Sequence, residues 1–468
     1  MKKSLRAAAV GLCALLLISM LAACGDGKTA LPAESSASPA SSEPAQSSED
    51  EKSSEDEKSS EEEKSSEASK VDAGGNDSDV EPTDIEVWVG DWWGPEKEHI
   101  EAEFKEDCGE DWSVNLVLQP VAGYLDSAIA AVASNSGPDV LDLDTLMIPS
   151  AIDAGLITPL DDFMSRYDIT ADQFVTANFD AGVADGQTYS IPNRNAPVAL
   201  FYNKTMFDAA GVDYPTDRME LTEFRELCKE MTGDGKYGFG IAAAKTDGAN
   251  VMTSIVPFLY GAGGSFLNED MTAANTNSPE SIKGIKDWVE MYTVDKSVPE
   301  GCIDYSISRD LFPLAQTQVI SMFPLNDNNL ATLTAGQEDG SIEDFEWDAC
   351  LLPGYGRAAG WSFTIPAGTE KQEAAEFFIN YYIQPEVLSR NEIIMPAVLE
   401  AQKMGKWSDP SLDVFYRQME YLENCPPTPK WSDMQVAVIE ELQNAMSGSI
   451  TPEEAAANME TRINALLG

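Results

Sequence analysis

One histidine, His99, in 468 residues leaves the chain without the imidazoles that most hydrolytic triads and multi-histidine metal centres require. Basic residues are scarce beside acidic ones: 30 Lys and Arg stand against 80 Asp and Glu, a formal net charge of −50. A field of that sign repels phosphate backbones and anionic lipid surfaces, which excludes nucleic acid as a partner. Seven cysteines, none in a C-x-x-C pair, are too few and too scattered for a disulfide-stapled miniprotein. Beyond the N-terminal segment no apolar run is long enough to span a bilayer, and no repeat of solenoid period is visible. What is present is a chain long enough for two or three domains with a large buried core.

The N-terminus reads as an address. Lys2, Lys3 and Arg6 precede the apolar stretch Ala7–Ala23, the pattern of a secretory signal. Residues 25–82 carry 17 acidic and 5 basic side chains among serines, and Lys-Ser-Ser-Glu recurs from Lys52, Lys58 and Lys64. Such a segment cannot bury enough apolar surface to offset the entropy of ordering, so it is expected to be a disordered tether spanning roughly 40–45 Å.

From residue 83 onward the periodicity alternates between strand and helix. Ile85, Val87 and Val89 alternate with polar or outward positions, and Val114, Leu116 and Leu118 do the same. Gly94-Pro95 opens a helix with Ile100 and Phe104 on one face, Tyr124–Val132 forms a second, and Asp139–Leu143 a third strand. That β-α-β-α-β order predicts an open α/β sheet, with ligand at the carboxyl ends of its strands. The loop Gly90-Asp91-Trp92-Trp93-Gly94 falls there. A second α/β block begins near residue 197 with the strand Val198–Tyr202, the helix Leu221–Met231 and the strand-like Gly238–Ala243. Helices dominate the last third, over Glu373–Tyr382, Met434–Met446 and Pro452–Leu467.

Several motifs resemble the extracellular solute-binding proteins of ABC importers, in the sugar-binding group that includes maltose-binding protein. They are Val87-Trp88-Val89-Gly90-Asp91, Gly137-Pro138-Asp139-Val140, Ala154-Gly155-Leu156-Ile157-Thr158-Pro159-Leu160 and Tyr189-Ser190-Ile191-Pro192 followed by Leu200-Phe201-Tyr202-Asn203-Lys204. Phe207–Gly211, Gly360-Trp361, Glu373–Phe378 and Thr451–Ala455 extend the match along 83–468 in the same order. At the N-terminus, Leu21-Ala22-Ala23-Cys24-Gly25 resembles the lipobox of bacterial lipoproteins, which implies cleavage before Cys24 and a lipid anchor, palmitate included, on that residue. The resemblance implies a two-lobed, type II periplasmic-binding-protein-like α/β fold that closes on its ligand. It places lobe 1 at 83–194 and 355–390, lobe 2 at 195–354 and 391–468, and crossings near Asn193–Ala196, Pro353–Gly356 and Asn391–Pro396. It also implies a monomer on the outer face of the bacterial cytoplasmic membrane, held there only by its lipid and working with ABC permease subunits.

A sugar offers an apolar face and a rim of hydroxyls, so its site needs an aromatic platform and bidentate polar groups. Trp92, Trp93 and the neighbouring Asp91 suit that chemistry. By resemblance Asp144, Arg194, Asn195, Trp361 and Trp431 also face the cleft, and Tyr260 and Asn326 line its rim. Gly238-Phe239-Gly240-Ile241-Ala242-Ala243 fits G-x-G-x-x-A but lacks the strand–turn–helix setting of a dinucleotide site, and neither a cofactor nor a metal is expected. His99 lies on the polar side of its helix. Pairing among Cys108, Cys228, Cys302, Cys350 and Cys425 stays open. The function expected is non-catalytic capture of a mono- or oligosaccharide for import. A non-sugar solute such as a polyamine, a ligand sensor, and a surface glycoside hydrolase with paired carboxylates are the alternatives.

Overall fold

The computed structural model describes residues 80–120 and 123–468. The signal segment, Cys24 and nearly all of the tether lie outside the described residues.

Among the described residues eight strands form the two larger sheets, beside two short two-stranded ribbons. The first holds β1 (Asp84–Gly90), β2 (Ser113–Gln119), β3 (Val140–Asp144), β4 (Ile191–Asn195) and β8 (Gly360–Thr364), in the order β2-β1-β3-β8-β4. The second holds β5 (Val198–Asn203) between β6 (Met322–Asn326) and β7 (Trp347–Cys350). β1 runs parallel to β2 and β3, whereas β8 is antiparallel to both β3 and β4. The carboxyl ends of β1, β3 and β4 and the amino end of β8 therefore meet at one end of the sheet. Only two residues separate β4 in the first sheet from β5 in the second, so the chain crosses between lobes at Ala196-Pro197. It returns between β7 and β8. A third segment is laced to the first crossing: Asn195 N–H donates to Met395 O at 2.7 Å and Ala397 N–H to Asn193 O at 3.0 Å.

Local signals account for the elements. In β1 the inward Ile85, Val87 and Val89 are fully buried, as strand alternation requires. The helix Lys97–Cys108 buries Ile100 and Phe104, and Phe104 packs edge-on against Phe378 and Tyr381 of the helix Gln372–Tyr382. His99 is exposed. In the second lobe Asn203 caps the helix Lys204–Ala210, and Gly211, at φ 69°, ends it in the left-handed conformation that favours glycine. The helix Pro279–Thr293 presses its backbone onto Gly248–Gly261, where a Cβ at Gly284 would stand 2.5 Å from Phe258 O. Thr451 and Glu454 form a reciprocal capping box at the head of the last helix, Pro452–Leu467.

One expected strand is corrected. Gly238–Ala243 is a buried, irregular segment: its N–H groups go to Ser297, Met322, Cys302 and Tyr305 in turn, so no single ladder forms. A Cβ at Gly238 would sit 2.0 Å from Cys228 O, so the first glycine of that motif serves close packing, not phosphate binding. No disulfide joins Cys108, Cys228, Cys302, Cys350 or Cys425 to one another. No helix among the described residues is long and apolar enough to cross a membrane.

Candidate functional site

The sheet topology gathers the sequence-derived aromatics and acids at one edge of the first lobe. β1 ends at Gly90 and turns tightly through Asp91–Trp93. Gly90 is required there, because a Cβ would lie 2.3 Å from the Trp92 indole nitrogen. Ladder register places Trp361 of β8 between Asp144 of β3 and Arg194 of β4. The Trp92 ring meets Trp361 edge-on at 5.5 Å, giving a paired aromatic surface with the exposed Asp91 beside it. Asp144 holds the following turn through Leu146 N–H at 2.8 Å. Its burial raises the carboxyl, and Arg357 opposes that rise.

Beneath this surface lies a buried ionic cluster. Arg194 is 1% exposed, and its guanidinium packs against both rings of the corner formed by Trp92, at 4.3 Å, and Trp93, at 4.1 Å. Its Nη2 lies 3.7 Å from Asp142 and 3.3 Å from Glu392. Asp142 also accepts from Trp93 Nε1 at 3.0 Å and Asn193 Nδ2 at 2.8 Å. Trp93 and Arg194 are thus occupied within the protein; Trp92 is partly exposed, and Trp361 lies against it with only its margin accessible. Burial is the largest influence on both carboxyls; it raises Asp142 and pushes Glu392 up to about 7.

The second lobe meets this edge along a seam. Ser150 Oγ donates to Pro429 O at 3.1 Å, Asn424 Nδ2 donates to Ala177 O at 3.0 Å, and Leu146 packs against the second-lobe core. Only about 10 Å³ of space remains between Thr145, Leu146 and Pro149 and the facing Asn424–Pro427. Around the same elements several buried polar atoms have no hydrogen-bond partner among the described residues: Thr145 Oγ1, Arg357 Nη1, Trp431 Nε1 and Gln435 Nε2. Unpaired buried donors are costly, on the order of 1–3 kcal/mol each, so a polar solute between the lobes would relieve them. Arg357, Thr145 and Gln435 did not stand out in the sequence. Arg357 had one usable signal, its place just after the second crossing.

The remaining expected residues are engaged by contacts within the protein. Asn195 is buried, accepting from Asn178 Nδ2 and donating to Pro396 O. Asn326 caps the helix Asp327–Asp339 through its own side chain. Trp431 is 2% exposed, at the start of the helix Trp431–Met446, with its ring on Phe266. Tyr260 donates to Asn424 O at 3.3 Å and lines a groove of about 1720 Å³ on the other side of Asn424–Pro427, with Phe174, Trp407 and Tyr416.

Residues 95–388 match the family of bacterial extracellular solute-binding proteins. A binding protein from Brucella abortus (strain 2308) is 19% identical over 388 residues, 80% of this chain and 90% of that one. An ABC-transporter solute-binding protein from Thermotoga lettingae, solved with α-D-tagatose bound, shares the fold with a TM-score of 0.72 at 21% identity, covering 82% of this chain and 100% of that one. The sugar-binding protein MalE from Xanthomonas citri does so with a TM-score of 0.71 at 17% identity, covering 82% and 97%. The two-lobed α/β fold, the strand ends brought together at the lobe seam and the match across most of the folded region agree: this chain belongs to the bacterial extracellular solute-binding protein family, whose members serve ABC transporters.

Proposed function

We propose that the protein is a lipid-anchored binder that captures a carbohydrate between its lobes and hands it to an ABC permease, without catalysis. The observation that carries this reading is the Trp92–Trp361 pair, flanked by Asp91 and Asp144, with buried donors beside the seam, Thr145, Arg357, Trp431 and Gln435, that have no hydrogen-bond partner among the described residues. The rings would cover the apolar face of a pyranose, and the carboxylates and Arg357 its hydroxyl rim. Solute touching both lobes favours the closed arrangement over an open one and so drives closure. Lobe 1 is taken as 83–194 with 355–390, and lobe 2 as 195–354 with 391–468. Cys24 carries the lipid, and the tether holds the lobes off the outer face of the membrane.

A second reading, capture of an organic cation such as a polyamine, is favoured by the larger groove. Its aromatic walls are accompanied by Asp180, Glu269, Glu420 and Glu423, none of which has an ion-pair partner among the described residues. Thermal unfolding of the chain against monosaccharides, oligosaccharides, polyamines and amino acids separates the readings. Solute at 100 times its dissociation constant adds about 2.7 kcal/mol. A rise with sugars alone supports the first reading, and a rise with polyamines alone replaces it with the second.

A further inference from the structure

Arg194 is the one residue that touches both tryptophans and both carboxylates of the buried cluster. The two tryptophans differ in how they are held. Trp93 is fixed without it, through Asp142 and its contacts with Phe363 and Tyr382. Trp92 is partly exposed, and its indole N–H has no hydrogen-bond partner among the described residues. Its ring rests on Trp93, Trp361 and the guanidinium of Arg194. Glu392 stands at the start of the third segment between the lobes, the one laced to β4 by Asn195 and Ala397. Any displacement of that segment along β4 therefore reaches Arg194 through Glu392, and the Trp92 ring through Arg194.

We propose that Arg194 is a positioning residue: it sets the orientation of the Trp92 face and, through Glu392, ties that face to the third crossing segment. The proposal rests on the reading of Trp92 as part of the solute surface, but the coupling itself is a property of the solute-free chain.

The charge balance makes the coupling testable by pH. Glu392 faces Arg194 and Asp142 from the sheet, the Tyr382 hydroxyl from the helix Gln372–Tyr382, Glu96 from the turn before Lys97–Cys108, and Lys406 from the short turn Gly405–Ser408. Asp327 acts on the same Lys406 from the second lobe. Two buried carboxylates share one buried guanidinium, so the proton on Glu392 governs how strongly Arg194 is drawn toward the crossing segment.

The experiment is tryptophan emission of the full chain, without solute, between pH 5.5 and 8.5, for wild type, Glu392→Gln, Trp92→Phe and Arg194→Lys. The wild type is expected to show a transition near neutrality. Glu392→Gln and Trp92→Phe should each lose most of its amplitude, the remainder belonging to Asp327, which burial also raises to about 7, while Arg194→Lys, which keeps a cation over the ring, should retain part of it. A transition unchanged in Glu392→Gln, or undiminished in Trp92→Phe, overturns the proposal, as does a wild type with no transition. Should Arg194→Lys fail to fold, the other two variants still decide, because neither removes the buried cation. The readout needs no solute, so a chain that binds no sugar decides the question equally well.

Discussion

Replacing Glu392 by Gln should change how stability depends on pH, by an amount the structure sets. In the folded protein burial pushes this carboxyl up to about 7, against 4.5 for an ordinary glutamate, with Arg194 opposing the rise. The native state therefore holds the proton more tightly than the unfolded chain does. Its contribution to stability is complete below about pH 4.5, is lost as pH rises toward 7, and stays lost above that. At about 1.4 kcal/mol for each tenfold difference in proton affinity, the loss is about 3 kcal/mol. Asp327, which burial also raises to about 7, adds a similar slope, but wild type and variant share it, so it cancels in their difference. Glutamine cannot titrate. Relative to wild type, Glu392→Gln should gain about 3 kcal/mol between pH 4.5 and 8, on top of a constant offset for the altered contacts with Arg194 and Tyr382. With roughly 390 folded residues that is about 4 °C in Tm. Thermal melts of both proteins at half-unit steps of pH measure the difference directly. A difference that stays flat across that range would show that Glu392 is not a buried titrating acid, and the argument from the Arg194 cluster would fail with it.

Other consequences can be checked separately. Trp361→Ala should weaken sugar binding at least tenfold; because Trp361 is only 9% exposed and packs with Leu141, Leu143 and Ile157, it should also cost about 3 kcal/mol in a denaturant titration. Wild-type affinity in that variant would take Trp361 out of the site. In the native protein a thiol reagent should modify Cys108 and leave Cys228, Cys302, Cys350 and Cys425 untouched, since those four are buried and burial raises each thiol. Two or more fast-reacting thiols would contradict that packing. Cys24→Ser should yield an unlipidated chain by metabolic fatty-acid labelling, and normal labelling of the variant would refute the anchor.

In the first lobe β1 was legible because its apolar positions alternate; β3, β4 and β8 are buried almost throughout and show no such period, and Leu118 of β2, expected to point inward, is exposed. Ile85, Val87 and Val89 point inward as their spacing predicts, whereas the helix expected to open at Gly94-Pro95 begins at Lys97, after a turn that holds the proline. Gly238–Ala243 misled because an apolar run with two glycines looks the same whether it pairs in a ladder or threads between loops; only the packing against Cys228 separates the two. At the site, periodicity placed the ends of β1 and β3, and with them Asp91 and Trp92, at one edge; Asp144 and Trp361 were assigned to it by family resemblance, and the ladder register places Trp361 directly opposite Asp144. Burial depth could not be read the same way. Trp92 and Trp93 are adjacent in the chain, yet one is partly exposed and the other is packed under it. Arg194 and Asn195 look like cleft residues by position, but Arg194 balances Asp142 and Glu392, the latter nearly two hundred residues away in the chain. Arg357, Thr145 and Gln435 were missed because their significance lies in hydrogen bonds they do not make, which no sequence pattern reveals.

Calorimetric titration of the full chain with a series of neutral mono- and oligosaccharides, repeated on Trp92→Ala and Trp361→Ala, tests most directly whether solute is captured at this edge. The account predicts saturable one-to-one binding of at least one sugar by the wild type, weakened tenfold or more in each variant, with the sugar recovered chemically unchanged. Binding that neither substitution affects would place the solute elsewhere, and a sugar returned cleaved would make the protein an enzyme.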